Sequence, residues 1–164
     1  MIVLGLDIGL TGALAGVDSR GSAQVRDLPT APDGEGRRLD GRALLLALRE
    51  FVPAGEAALV IIEDVRPRPM GNGGAHGNTM HSQGSLMRSR GIVEAVTDIA
   101  RLQVKAVQPQ AWKRHFGLIG KEKGDALVVA RSLFPAIAHD LRLAKWHNRA
   151  DALLLAQFGQ ARFA

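Results

Sequence analysis

The sequence predicts an α/β protein whose mixed β-sheet has helices on both faces. Two observations carry this prediction. Three short strand-like segments joined by turns open the chain, which indicates an antiparallel meander. Helical and strand-like segments then alternate, which is typical of parallel strands connected by helices. The chain has 164 residues, of which 46% are hydrophobic. We therefore expect one domain with a proper core, spanning residues 1–164.

The N-terminal meander is predicted from its apolar runs and turns. Residues 1–10 form an almost unbroken apolar run that carries one carboxylate, Asp7. Such a run is typical of a strand covered on both faces. A glycine-rich turn leads into a second strand over 13–17, and a hairpin turn at 18–21 leads into a third over 23–28.

The remaining elements follow from periodicity and from proline and glycine. Segments 29–38 and 66–81 are rich in these two residues and are predicted to be loops. A continuous apolar run predicts a central buried strand over 57–62, the fourth strand of the sheet. Residues 103–107 are predicted to be the fifth. Helical spacing of apolar residues predicts helices over 39–52, 82–102, 109–116, 121–134 and 147–158.

Charge is unevenly distributed along the chain. Residues 1–63 carry 6 Lys and Arg against 9 Asp and Glu, whereas residues 64–164 carry 15 against 7. A basic C-terminal part indicates a polyanionic partner and favours nucleic acid over a membrane surface, although a basic surface that binds nothing is the alternative. The side chains predicted to contact DNA are Arg66, Arg68, Arg88, Arg90, Lys113, Arg114, Lys121 and Lys123.

Composition excludes several classes of protein. The chain has no cysteine, so it has no disulfide, thiolate zinc site or cysteine nucleophile. This agrees with a reducing compartment. Asp7 and several glycines interrupt the N-terminal apolar run, which therefore does not resemble a secretion signal, and no segment is apolar enough to span a bilayer. We expect the protein in the cytoplasm of a bacterium or of a phage-infected host cell.

Three acids lie in unusually apolar surroundings. Asp7 ends the first strand, Glu63 ends the most apolar strand, and Asp151 lies in the alanine- and leucine-rich last helix. Adjacent parallel strands would bring Asp7 and Glu63 together at their C-terminal ends, where ligand sites collect in open sheets. Clustered carboxylates repel one another and need a cation, and oxygen ligands favour Mg²⁺ or Mn²⁺. Two such ions can hydrolyse a phosphodiester. For Asp7 alone, capping of backbone amides is the simpler interpretation.

His147 precedes Asp151 by four residues, so both can share one helix face. It could bind a metal ion or handle the proton of the attacking water. The alternatives are solvent exposure and helix capping, in which Asn148 would be the N-cap and Asp151 the third residue of an approximate capping box.

Six motifs, in this order and in a chain of this size, resemble the RuvC-type Holliday junction resolvases of the ribonuclease H-like superfamily. They resemble the phage-encoded branch of this family more than the cellular enzymes. The motifs are L-G-L-D-I-G-L-T-G at 4–12, V-I-I-E at 60–63, S-R-G-I-V-E-A at 89–95, Q-P-Q-A-W-K at 108–113, G-K-E-K-G-D-A at 120–126 and H-N-R-A-D-A-L-L-L-A at 147–156.

The resemblance implies a ribonuclease H-like fold and a homodimer, paired through the helix over 82–102, that resolves four-way DNA junctions. Each subunit would nick one strand with Mg²⁺ or Mn²⁺, two ions per site, and would leave a 5′-phosphate and a 3′-hydroxyl. Asp7, Glu63 and Asp151 match the family's metal-binding acids. The family's fourth ligand falls at Asn148, and we predict that the adjacent His147 takes this role. Lys113 and Lys123 fall near family lysines that contact the scissile strand.

Segment 66–81 differs most from the family. It lacks the aromatic wedge that the family places near the junction centre and inserts glycines and two histidines. Forks and other branched DNA are therefore further candidate substrates.

Three alternatives stay open at the level of sequence. The first is a ribonuclease H-like enzyme that processes RNA. The second is a nucleotide-binding protein of the actin and sugar-kinase type, which shares D-x-G-x-T-G but normally needs two such domains. The third is a branched-DNA-binding protein without catalysis.

Overall fold

A computed structural model describes residues 1–66 and 79–164. The strands in these ranges are β1 (Ile2–Asp7), β2 (Ala13–Asp18), β3 (Ala23–Asp27), β4 (Thr30–Asp33), β5 (Gly36–Leu39), β6 (Ala58–Glu63) and β7 (Gln103–Val107). The α-helices are α1 (Gly41–Phe51), α2 (Met80–Ile99), α3 (Pro109–His115), α4 (Lys123–Leu133) and α5 (His147–Phe163). Two 3₁₀ segments, Pro135–Leu141 and Ala144–Trp146, lie between α4 and α5.

The main sheet has five strands in the order β3-β2-β1-β6-β7. The first three strands pair antiparallel, and β1, β6 and β7 pair parallel. The predicted mixed sheet with an N-terminal meander is therefore confirmed. The apolar run over 57–62, predicted to be a central buried strand, forms β6, which lies between β1 and β7.

Segment 29–38 was predicted to be a loop, and this prediction is wrong. Strands β4 and β5 pair antiparallel from Thr30↔Leu39 to Asp33↔Gly36 and form a separate two-stranded sheet. Gly34 has a φ of +59°, a left-handed conformation that closes the hairpin and that glycine adopts without strain. Proline and glycine, which suggested a loop, here lie in a short exposed hairpin outside the main sheet.

Alternate side chains of the central strands enter two different cores. On one face, Val3 and Ile61 pack with residues of α3, α4 and α5. On the other face, Leu4 and Val60 pack with residues of α1 and α2. The architecture is therefore three-layered, with helices on both faces as predicted. No helix in the described ranges is long and apolar enough to cross a membrane.

Helix α5 lies directly against β1. A Cβ atom added at Gly5 would lie 2.0 Å from the carbonyl oxygen of Ala152 and 2.6 Å from the amide nitrogen of Ala156. At the other end of the helix, a Cβ at Gly159 would lie 2.8 Å from Cγ1 of Val3. Helix α5 thus runs antiparallel to β1, and its first turns lie at the end of the strand that carries Asp7.

Helix boundaries differ from the predictions by a few residues. Helix α2 begins two residues earlier than predicted because Thr79 is its N-cap and forms a reciprocal capping box with Ser82. It ends at Ile99 rather than at residue 102. Helix α1 begins after Asp40, whose side chain accepts a hydrogen bond from the amide of Ala43. The twelve residues 67–78 lie outside the described residues, and with them most of the predicted loop 66–81.

Candidate active site

Asp7 and Glu63 are the last residues of adjacent parallel strands. They follow Leu6 and Ile62, the last residues paired between β1 and β6. Side chains alternate between the two faces of a strand, so Asp7 shares a face with Val3, and Glu63 shares a face with Leu59. Val3 belongs to the core that includes residues of α5, and Leu59 packs against that core. Both acids are half-buried. The two carboxylates that the sequence singled out therefore lie at neighbouring positions, on one face, at the same end of the sheet.

The third acid, Asp151, lies in the turn of α5 that is level with this end of β1. The side-chain amide of Asn148 donates to the carbonyl oxygen of Thr11 at 2.6 Å and to its hydroxyl at 3.1 Å. One turn further along the helix, Ala152 lies against Gly5. Asp151 is located between these two attachments, half-buried, and so on the helix that covers the face of Asp7 and Glu63.

The turn after β1 is itself tightly built. The amide of Gly12 donates to the carbonyl oxygen of Gly9 at 3.1 Å. A Cβ at Gly12 would lie 2.0 Å from the carbonyl oxygen of Asp7, so only glycine fits at this position. The predicted glycine turn therefore exists, and it brings Thr11 to the start of α5.

The oxygen donors of these acids are the kind that bind a hydrated divalent cation. Mg²⁺ is commonly bound by one or two carboxylates and retains several waters, and two carboxylates on neighbouring parallel strands supply that set. In residues 1–66 and 79–164, no three acidic or histidine side chains are grouped closely enough to hold an ion by themselves. Asp7 and Glu63 could therefore hold an ion together with waters.

Sequence reasoning missed one partner of this site, Trp112. Its indole nitrogen donates to Oε1 of Glu63 at 2.7 Å, and the residue is 1% exposed. The side-chain nitrogen Nζ of Lys113 lies 5.4 Å from the centre of the same indole ring. The signal in the sequence was a tryptophan next to a candidate DNA-binding lysine in the motif Q-P-Q-A-W-K.

His147 and Asn148 occupy different positions from those the capping alternative requires. The N-cap of α5 is Trp146, so Asn148 is the second residue of the helix and the capping-box interpretation is wrong. The amide of Asn148 instead fastens the helix to Thr11. His147 is half-buried and begins α5, one turn before Asp151.

The residue after Glu63 organises a network on the opposite side of the strand. Asp64 accepts hydrogen bonds from Arg66 at 3.0 Å and from the side chain of Gln108 at 2.7 Å, and Arg90 lies 3.6 Å away. The hydrogen bond from Arg66 is the main cause that lowers the pKa of Asp64. Arg66 and Arg90, both predicted DNA contacts, are thus already paired with a carboxylate.

The other predicted DNA contacts divide into three groups. Lys113, Arg114 and Lys121 lie in α3 or in the turn after it, and the last two are exposed. Arg88 forms an ion pair with Asp33 of the β4–β5 hairpin. Arg68 and the side chain of Lys123 lie outside the described residues.

A groove of about 490 Å³ separates the β4–β5 hairpin from the first half of α2. In the described part of the chain, Asp33 is the one carboxylate among the side chains that line this groove, so cationic groups outnumber anionic ones. The cationic lining side chains are Arg37, Arg38 and Arg88. A shallower depression along α2 continues from His81 to Gly9 and Thr11 in the turn after β1. The arginines therefore line the groove beside the hairpin, and the depression that continues to the turn after β1 is lined by uncharged side chains and His81.

Five mixed strands with helices on both faces, and acids at the ends of the two central strands, define an α/β protein with a ribonuclease H-like fold. The chain is similar to the structure of Thermus thermophilus RuvC, with a TM-score of 0.56 and 20% identity, over 95% of this chain and 91% of that one. It is also similar to T. thermophilus RuvC in complex with Holliday junction substrate, with a TM-score of 0.57 and 19% identity, over 95% and 90%. No protein-family profile and no curated protein matches the chain. At this identity the likeness shows a RuvC-like fold.

Proposed function

We propose that this protein is a structure-selective endonuclease that resolves Holliday junctions and cuts other branched DNA by metal-dependent phosphodiester hydrolysis. One observation carries the proposal. In a RuvC-like fold, Asp7 and Glu63 end adjacent parallel strands on the face covered by the helix that carries Asp151. A similar structure was solved with Holliday junction substrate, which supports branched DNA as the ligand.

Each acid would have a defined part in the chemistry. Asp7 and Glu63 would hold Mg²⁺ or Mn²⁺ from two rigid strands, and Asp151 would complete the site from α5. Two divalent ions, when bound, activate water and stabilise the leaving oxygen of a phosphodiester. His147, at the start of α5, would be the fourth group and would accept the proton of the attacking water. The products would be a 5′-phosphate and a 3′-hydroxyl.

The substrate would be held by the basic side chains beside this site. Lys113 and Arg114 lie in α3, which Trp112 attaches to Glu63, and Lys121 lies in the turn after this helix. These three side chains would contact phosphates of the scissile strand. We further propose that residues 1–164 act as a single nuclease domain, that two copies pair through α2 and each cuts one strand, and that the enzyme acts in the cytoplasm of a bacterium or of a phage-infected host. Assignment to the phage-encoded branch belongs to this proposal.

The test is a panel of synthetic four-way junctions, three-way junctions, forks and linear duplexes incubated with Mg²⁺ or Mn²⁺. We expect wild type to nick branched DNA and Asp7→Asn to lose this activity. The matched control is Asp18→Asn. Asp18 also ends a strand, but its carboxylate accepts hydrogen bonds from the amides of Arg20 and Ser22, so it is a true backbone cap. Equal cleavage by wild type and Asp7→Asn on every substrate would overturn the proposal.

The same panel separates DNA from RNA as substrate. Junctions of identical sequence are prepared in DNA and in RNA, and the rates of cleavage are compared at equal metal concentration. Faster cleavage of the RNA junction would replace the proposed activity by an RNA-processing one. If the wild type binds junctions tightly and cuts none of them, the protein binds branched DNA without catalysis.

A further inference from the structure

The indole of Trp112 is a buried hydrogen-bond donor with a carboxylate as its partner. The residue is 1% exposed, and its Nε1 lies 2.7 Å from Oε1 of Glu63. An indole nitrogen can only donate, and a buried donor without a partner costs about 1–3 kcal/mol. The contact with Glu63 is therefore a fixed part of the fold.

The elements around this contact hold its two partners in register. Strand β7 pairs parallel with β6, and Glu63 is opposite Val107. Helix α3 begins two residues later, at Pro109, so Trp112 is placed at the same end of the sheet as Glu63. Trp112 also belongs to the core between the sheet and α5. The indole is thus held by packing, and the carboxylate is held by the indole.

A carboxylate held through one oxygen has a defined orientation. Hydrogen bonds to charged acceptors are stronger than those between neutral groups. The indole uses one lone pair of Oε1 of Glu63, so Oε2 is the oxygen better able to bind a cation. When a residue that hydrogen-bonds to a metal ligand and orients it is removed, metal affinity commonly falls by about 10- to 100-fold.

We propose that Trp112 is a positioning residue for metal binding: its indole N–H fixes the rotamer of Glu63 for a cation held between the ends of β1 and β6. This inference rests on the proposed function, because it takes Glu63 to be a metal ligand. The same ring lies 5.4 Å from the nitrogen of Lys113, so one indole would connect the orientation of a metal ligand to that of a phosphate-binding lysine.

The first test is Trp112→Phe, which keeps an aromatic ring in the core and removes the donor. The dissociation constant for Mn²⁺ is measured by calorimetry without DNA, and the Mg²⁺ concentration for half-maximal junction cleavage is measured separately. We expect both to rise about 10-fold or more, while junction binding without metal is unchanged. The matched control is Trp146→Phe, which changes the chain's other tryptophan, the one beneath the Arg149 guanidinium. It should keep the wild-type Mn²⁺ constant.

The second test does not require Trp112→Phe to fold. In Trp146→Phe, Trp112 is the one remaining tryptophan, so all tryptophan fluorescence comes from the ring beside Glu63. Mn²⁺, which quenches nearby fluorophores, should quench this emission, and Glu63→Gln in the same background should abolish the effect. Mg²⁺ should protect against quenching by competition.

The outcomes separate this inference from the function on which it rests. A wild-type protein that binds no Mn²⁺ and cuts no junction overturns both. A wild type that binds and cuts, with a folded Trp112→Phe of equal Mn²⁺ affinity, overturns the positioning role alone. The positioning role is also overturned if calorimetry shows that Trp146→Phe binds Mn²⁺ while the emission of Trp112 stays unchanged.

Discussion

Substitution of Gly5 by alanine should separate α5 from the sheet. The added Cβ would lie 2.0 Å from the carbonyl oxygen of Ala152, whereas ordinary contacts begin at 3.4 Å, so the helix must withdraw by about 1.4 Å. Both clashing atoms belong to helix backbone, so no rotamer change relieves the contact. Overpacking of this kind costs about 1–3 kcal/mol, and we expect Gly5→Ala to lie at the upper end. Because the same helix carries Asp151, a displacement near 1 Å should also slow cleavage by about 100-fold.

Two measurements test this expectation. Urea denaturation followed by circular dichroism gives the free energy of unfolding, and junction cleavage per mole of folded protein gives the rate. The control is Gly124→Ala in α4, where an added Cβ meets no atom of the described residues within 4 Å. That variant should be unchanged or stabilised by up to about 1 kcal/mol. If Gly5→Ala unfolds within about 0.5 kcal/mol of wild type and cuts normally, α5 does not lie against β1 as described.

Three further predictions concern single charged side chains. The hydrogen bond from Arg149 lowers the pKa of Asp27 from 3.8, so Asp27→Asn should reduce the free energy of unfolding at neutral pH by up to about 1 kcal/mol. Since a lowered carboxyl pKa stabilises the fold above the ordinary value, this difference should disappear as pH falls through the lowered pKa, as urea titrations at several pH values would show. Lys121→Ala should weaken binding to every junction sequence and reduce the slope of log affinity against log salt by about 1, measured by fluorescence anisotropy. Asp40→Ala removes the N-cap of α1, where Asp40 accepts from the amide of Ala43, and should lower the free energy of unfolding by about 1 kcal/mol in a urea titration.

The sheet could be predicted because its signals are local. The apolar runs that became β1 and β6 mark central strands whatever their neighbours are, and the short segments around Gly21 mark a hairpin. The β4–β5 hairpin could not be predicted in the same way. Its pairing depends on the left-handed Gly34 and on burial of Leu39 in the core beneath α1 and α2, and neither is visible as periodicity.

The candidate site could be predicted in part. An acid in or at the end of an apolar run is an anomaly that sequence shows directly, and it singled out Asp7, Glu63 and Asp151 as candidates. The partner of Glu63 could not be found, because Trp112 is 49 residues away and its hydrogen bond depends on the direction in which α3 leaves β7. The ion pair between Arg88 and Asp33, 55 residues apart, was missed for the same reason.

The position of Asp151 depends on packing in a way that the positions of the strand acids do not. Asp7 and Glu63 are carried by hydrogen-bonded neighbours, so their separation follows from strand geometry. Asp151 is held by contacts on either side of it along α5: Asn148 bound to Thr11, and Ala152 against Gly5. These contacts fix the helix in both rotation and translation. Because the close packing at Gly5 and the hydrogen bond from the Asn148 side chain to Thr11 are independent, loosening either one should displace Asp151 and leave the two strand acids in place.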